Sequence, residues 1–199
     1  MRRAALLLLL LLLAACGKTP QLAKLPNDAV ILAFGDSLTF GAGATPETSY
    51  PAVLEKLIGR RVVSAGVPGE VTADGLERLP DVIEEEQPTL LILCHGGNDL
   101  LRQTGEAQAE SNLRAMVSLA KSKDIQVVML AVPKPGWTLT LPAYYEKIAA
   151  EFKLPIETRV LRSIMASHTL KSDAIHPNAA GYQRMAEAIA ELLKSAQAL

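Results

Sequence analysis

Short blocks of branched aliphatic residues alternate along the chain with longer stretches in which apolar positions recur every three or four residues. The blocks are Ala29 to Phe34, Val62 to Ala65, Leu90 to Cys94 and Gln126 to Val132, and each has the length and composition of a strand buried on both faces. Between them, Leu76, Leu79 and Ile83 follow a cap at Thr72, and Leu113, Met116, Val117 and Ala120 fall on one face; both spacings predict amphipathic helices. Pro142 to Phe152 predicts a further helix, and Ile156 to Val160 a weaker fifth strand. Pro177 opens the first turn of a final helix in which Tyr182, Met185, Ile189 and Leu192 share a face. Strand and helix alternating in this way predict right-handed crossovers around a parallel sheet with helices on both sides.

In an open parallel sheet, chemistry collects outside the carboxyl ends of the strands. Three predicted strands run into Gly35-Asp36-Ser37-Leu38-Thr39, Gly66-Val67-Pro68-Gly69-Glu70 and His95-Gly96-Gly97-Asn98-Asp99, so these turns share one rim. Ser37 there presents a hydroxyl that needs a base to become a nucleophile. His176, in Asp173-Ala174-Ile175-His176-Pro177, is that base if its loop folds back over the rim. Asp173 accepts the Nδ1 proton of His176 and so leaves Nε2 facing Ser37. The backbone N–H groups of Ser37 and Gly69 and the side-chain amide of Asn98 are the candidate donors to an oxyanion. Gly69 lets the backbone approach a substrate with no Cβ in the way.

Gly35-Asp36-Ser37-Leu38, Gly69, Gly96-Gly97-Asn98-Asp99 and Asp173-x-x-His176 occur in the order seen in the SGNH, or GDSL, hydrolases, and the chain resembles that family over residues 30 to 195. Within it, the sequence is most similar to the compact secreted arylesterase, acyl-thioesterase and lysophospholipase branch. The resemblance implies a three-layer α/β/α flavodoxin-like fold with about five strands in the order 2-1-3-4-5. It also implies Ser37 as nucleophile, Gly69 and Asn98 as oxyanion donors, and Asp173 with His176 completing the triad. Pro68 and Glu70 flank Gly69 where the family more often has serine or asparagine and aspartate, which leaves Gly66 as the alternative donor.

The amino terminus adds an address. Met1-Arg2-Arg3 precedes twelve apolar residues, Ala4 to Ala15, the form of a charged and then apolar secretion signal. As a helix they reach roughly 18 Å, short of a bilayer core. Leu13-Ala14-Ala15-Cys16-Gly17 resembles a bacterial lipobox, which makes Cys16 the acylated first residue of the mature chain. Residues 18 to 28 then read as a poorly ordered tether, and 29 to 199 as one hydrolase domain. Gly17-Lys18 lacks the aspartate that often retains lipoproteins at the inner membrane, so the expected location is periplasm-facing on the outer membrane of a Gram-negative host. With Cys16 acylated, Cys94 has no partner and no disulfide framework is expected.

Removing residues 1 to 15 takes Arg2 and Arg3 but no acid, and the formal charge moves from −1 to −3, which gives no support to nucleic-acid binding. No histidine pair sits at metal-ligand spacing, and Gly41-Ala42-Gly43-Ala44-Thr45-Pro46 lacks the third glycine of a dinucleotide loop; no metal or cofactor is expected. That stretch reads instead as a small-residue wall beside Ser37. His95 reads as a structural histidine, His168 as a surface residue, and Tyr144 and Tyr145 as helix packing. Trp137, the single tryptophan, is either an acyl-chain contact or mobile lid at the rim, or a plug over the sheet end. The function expected is hydrolysis of small- to medium-chain acyl esters or thioesters. Deacetylation of carbohydrate or cell-wall polymer, and a lipid-anchored binding protein without catalysis, are the alternatives. The sequence fixes no oligomeric state.

Overall fold

Ile31 to Phe34, Leu90 to Ile92 and Val127 to Leu130 have no exposed surface, so these three aliphatic blocks are interior strands covered on both faces, whereas Val62 to Ala65 lies at the sheet edge with only Val62 buried. The computed structural model describes residues 19–199; the expected secretion signal and Cys16 lie outside the described residues. Five strands, β1 (Val30–Gly35), β2 (Arg61–Gly66), β3 (Leu90–Cys94), β4 (Gln126–Leu130) and β5 (Ile156–Glu157), form one parallel sheet in the order β2-β1-β3-β4-β5. This is the expected flavodoxin-like order. The register pairs Gly35 with both Gly66 and Cys94, so β1, β2 and β3 end level and release their turns at one rim.

The helices are α1 (Ser37–Phe40), α2 (Tyr50–Ile58), α3 (Thr72–Glu86), α4 (Gly97–Arg102), α5 (Glu106–Ser122), α6 (Tyr144–Phe152), α7 (Val160–Ala166) and α8 (Ala179–Ser195). They pack as two sets, α8 against α2 and α7, and α5 against α3 and α6. Right-handed crossovers place these sets on opposite faces, because the chain moves one way across the sheet from β1 to β2 and the other way from β2 onward.

Four boundaries differ from the sequence reading. Val71, not Thr72, is the cap of α3; Thr72 is its first residue, and the Asp99 carboxylate accepts from both its N–H (2.9 Å) and its hydroxyl (2.7 Å). A carboxylate supplied from another element here does the work of a local cap. Strand β5 stops at Glu157, whose carboxylate accepts from the N–H groups of Arg159 and Val160 and starts α7 where more strand was expected. Helix α6 begins at Tyr144, after Pro142. Pro177 precedes the first turn of α8, because Asn178 is the cap and accepts from the Gly181 N–H at 3.1 Å.

The tether is the larger correction. From Gln21 onward the segment lies against the domain: the Gln21 amide donates to the Ser195 carbonyl at 3.4 Å, and Leu22 N–H donates to the Ala196 carbonyl and Leu25 N–H to the Ala198 carbonyl, each at 2.8 Å. The Gln126 amide accepts from the Ala23 N–H and donates to the Ala23 carbonyl, and Arg60 donates to the carbonyls of Leu25 and Pro26. Leu25 is buried. Leucines at 22 and 25 supply enough apolar surface to hold a segment whose two prolines and polar neighbours otherwise read as linker.

Candidate active site

Asp36 shapes the turn that carries Ser37. It is buried, and its carboxylate caps α1 by accepting from the Leu38 N–H at 3.1 Å. Burial pushes its pKa up; the nearby His95 and His176 and the N–H groups of Leu38 and Gly97 oppose that rise. The cap places Ser37 in the first residue of α1, half-buried at the rim.

The other half of the site comes from the far end of the chain. Lys171 and Pro177 form an antiparallel bridge, and Ser172 N–H donates to the His176 carbonyl at 3.0 Å, which closes the intervening loop into a tight hairpin. Asn178 pins its base by donating from its side chain to the carbonyls of Thr169 and Lys171. Tyr182 of α8 donates to the Ala42 carbonyl at 2.8 Å, drawing the hairpin toward the turn after α1.

The result is a continuous relay. His176 Nε2 lies 3.0 Å from Ser37 Oγ, and His176 Nδ1 lies 2.8 Å from Asp173 Oδ2. An ionised Asp173 can only accept, so Nδ1 carries the proton and Nε2 is free to accept from the serine hydroxyl. Burial opposes ionisation of Asp173, but hydrogen bonds from the His176 ring and the N–H groups of Ile175 and His176 outweigh it and hold the carboxyl below its ordinary range.

Gly69 sits at φ +80°, in the left-handed region that favours glycine, and its carbonyl accepts from Arg102 Nη2 at 2.7 Å. Among the described residues neither its N–H nor that of Ser37 donates to another protein group. Asn98 Nδ2 donates to the Glu70 carbonyl at 3.0 Å, which fixes the Asn98 amide beside the Gly69 turn and leaves its second N–H unused. Gly66 has a packing role: a Cβ there would come within 2.1 Å of the Phe40 nitrogen in α1.

Glu70, one of the two departures from the family pattern, is the centre of a largely buried network. Arg78 Nε and Nη2 each donate to the Glu70 carboxylate at 2.8 Å, and the guanidinium lies 4.2 Å above the Phe34 ring. His95 is fully buried; its Nδ1 accepts from the Gly96 N–H at 2.9 Å, so Nε2 carries the proton that reaches Glu70 Oε2 at 3.0 Å. Burial alone would raise the Glu70 pKa, yet the His95 and Arg78 hydrogen bonds and the Arg78 charge bring it down to about 2. His95 is therefore a structural histidine, as read from the sequence. Tyr144 and Tyr145 are buried, and Tyr145 donates to the His95 carbonyl at 2.8 Å.

A cavity of about 640 Å³ opens over Ser37 and His176, with Asn98 in its wall. Its lining is chiefly apolar, including Leu38, Leu101, Val132, Leu161, Met165 and Ile175. Leu161 and Met165, four apart on α7, were not singled out from the sequence, although their spacing was the available signal. His168 is exposed as expected, yet it also lines this cavity. Trp137 is fully exposed at the mouth, which excludes the plug over the sheet end. The small-residue wall is corrected too: none of residues 41 to 46 lines the cavity, and Gly43 instead makes room for Ser172 and Pro177, where a Cβ would meet the Ser172 hydroxyl oxygen at 2.0 Å. Cys94 is buried and is a free thiol. Among the described residues no cluster of three or more histidine, cysteine or acidic side chains is placed to hold a metal.

Residues 33–184 match the GDSL-like lipase/acylhydrolase family. The chain belongs to that family. Esterase TesA of Pseudomonas aeruginosa is 30% identical to this hydrolase over 175 residues, covering 82% of this chain and 87% of that protein. An arylesterase of Vibrio mimicus is 28% identical over 174 residues, covering 82% and 87%. Thioesterase 1/protease 1/lysophospholipase L1 of Escherichia coli is 28% identical over 156 residues, covering 74% and 75%. The crystal structure of TesA superposes with a TM-score of 0.75 at 30% identity, over 83% of this chain and 98% of that one. The hydrolase is thus a serine carboxylic ester hydrolase of the SGNH type.

Proposed function

We propose that this hydrolase cleaves small- to medium-chain acyl esters through an acyl-Ser37 intermediate, with His176 and Asp173 as the rest of its triad. The observation that carries the proposal is the Ser37–His176–Asp173 relay opening into an apolar cavity. Ser37 Oγ attacks the acyl carbon as its proton passes to His176 Nε2, and the carbonyl electron pair moves onto oxygen. The Ser37 and Gly69 N–H groups and the spare Asn98 N–H stabilise that oxyanion. Collapse breaks the bond to the leaving oxygen or sulfur, which takes the proton from His176. Water repeats the sequence on the acyl-serine and releases the carboxylic acid.

An apolar lining suits an acyl chain better than an acetylated saccharide polymer, which needs an open groove. Trp137, exposed in the cavity lining, would contact that chain at the mouth. Purified protein should hydrolyse aryl acyl esters, and Ser37→Ala should lose nearly all of that activity with its fold intact; full activity in that variant would refute the assignment. Aryl esters, acyl-CoA thioesters and lysophospholipids compared side by side, the last two prompted by the Escherichia coli relative's name, would establish the leaving group.

Acylation of Cys16 after removal of residues 1 to 15 would tether the enzyme to membrane, and Gly17-Lys18 favours the outer membrane, facing the periplasm. Fractionation should find the full chain in that membrane and the Cys16→Ser chain released from it.

A further inference from the structure

The docked amino-terminal segment fixes which way an anchored molecule faces. Every hydrogen-bond partner that residues 19 to 26 find in the domain lies at the amino end of the sheet: Arg60 just before β2, Gln126 at the first position of β4, and Ser195, Ala196 and Ala198 at and beyond the end of α8. Ser37, Asn98 and His176 lie at the carboxyl end. The direct path from Ala29 to Ser37 runs through β1, about 25 Å at the rise of a strand.

We infer that the membrane anchor holds the active-site mouth away from the membrane in which the lipid sits, so that the substrates are acyl esters in the aqueous compartment or on an opposing surface. The inference rests on the acylation of Cys16 proposed above. Only six residues, Cys16 to Gln21, separate the lipid from Leu22, the first residue whose backbone bonds to the domain, and six residues span at most about 20 Å. A domain of this size is about 40 Å across. On a leash of about 20 Å, a sphere of that diameter tilts by at most about 90°, and the pole opposite the anchor stays about 20 Å above the surface. Had residues 19 to 28 been the free tether that composition suggests, the leash would reach about 40 Å and the mouth could touch the bilayer. The hydrogen bonds of Leu22, Ala23 and Leu25 are therefore what sets the accessible substrate class.

Trp137 reports on this orientation directly, since it is the single tryptophan and stands fully exposed at the cavity mouth. Acylated full chain is bound to phosphatidylcholine vesicles with brominated acyl chains, and Trp137 emission is compared with that on unbrominated vesicles. No loss of emission from bromolipid, with strong quenching by soluble acrylamide, is the expected result. Bromolipid quenching in chain that floats with the vesicles would overturn the orientation alone. Flotation is scored separately against Cys16→Ser: chain that fails to float refutes the anchor itself, and the orientation with it.

Discussion

At the scale of single residues, the site depends on which hydrogen bonds are already made. Ser37 and Gly69 keep their N–H groups unused, and Asn98 spends one amide hydrogen on Glu70 and keeps the other. Such donors act only once charge develops on the substrate oxygen. Asn98→Ala should therefore lower kcat about 10²-fold to 10³-fold with little change in KM, read from steady-state hydrolysis of an aryl ester. A rise in KM at constant kcat would assign Asn98 to ground-state binding instead. Asp173 is held ionised by the N–H groups of its own hairpin, so Asp173→Asn removes the acceptor that selects the His176 tautomer. Its kcat should fall about 10³-fold or more while the circular dichroism spectrum is retained.

At the scale of elements, the turn after β2 is held by charge. The Glu70 carboxyl titrates at about 2 in the folded protein, below the ordinary 4.5. Its stabilisation is fully present above that ordinary value and is lost as pH falls toward 2. Glu70→Gln should cost about 3 kcal/mol at pH 7, because Arg78 and His95 lose a charged partner in the interior. The gap from wild type should narrow by pH 3 in urea unfolding, and a gap independent of pH would contradict the ion-pair account. Gly75 in α3 tests the same packing. Alanine there usually gains about 1 kcal/mol of helix propensity. Here its Cβ would meet His95 Nε2 at 2.4 Å, so Gly75→Ala should destabilise by about 1–3 kcal/mol in thermal unfolding.

The limits of the sequence reading also belong to this scale. Strands β1, β3 and β4 were legible because aliphatic runs covered on both faces leave a dense signal, and the edge strand β2 was legible from its shorter run at Val62 and Val63. Strand β5 was legible only in outline, because Glu157 and the two residues after it turn the chain into α7 with no glycine or proline to mark the change. Ser37, Asp173 and His176 were legible as motifs. The cavity wall was not, since Leu161 and Met165 meet Ser37 only through the fold. His95 and Glu70, twenty-five positions apart, carry no local sign of pairing.

At the scale of the whole molecule, the amino-terminal segment, the end of α8 and the start of β4 close the sheet's amino end together. Leu25→Ala should cost about 2–3 kcal/mol in chemical denaturation and leave aryl esterase activity unchanged, since the two ends of the sheet are separate. The opposite end joins Ser37 to a histidine 139 positions later, and the hairpin and α8 exist in this arrangement to make that meeting. Labelling with an aryl phosphonate, located by peptide mass spectrometry, tests it most directly. Wild-type protein should take up one phosphonate on Ser37, and His176→Ala should label more slowly by orders of magnitude. An adduct on another residue, or equal rates in the two proteins, would contradict the account.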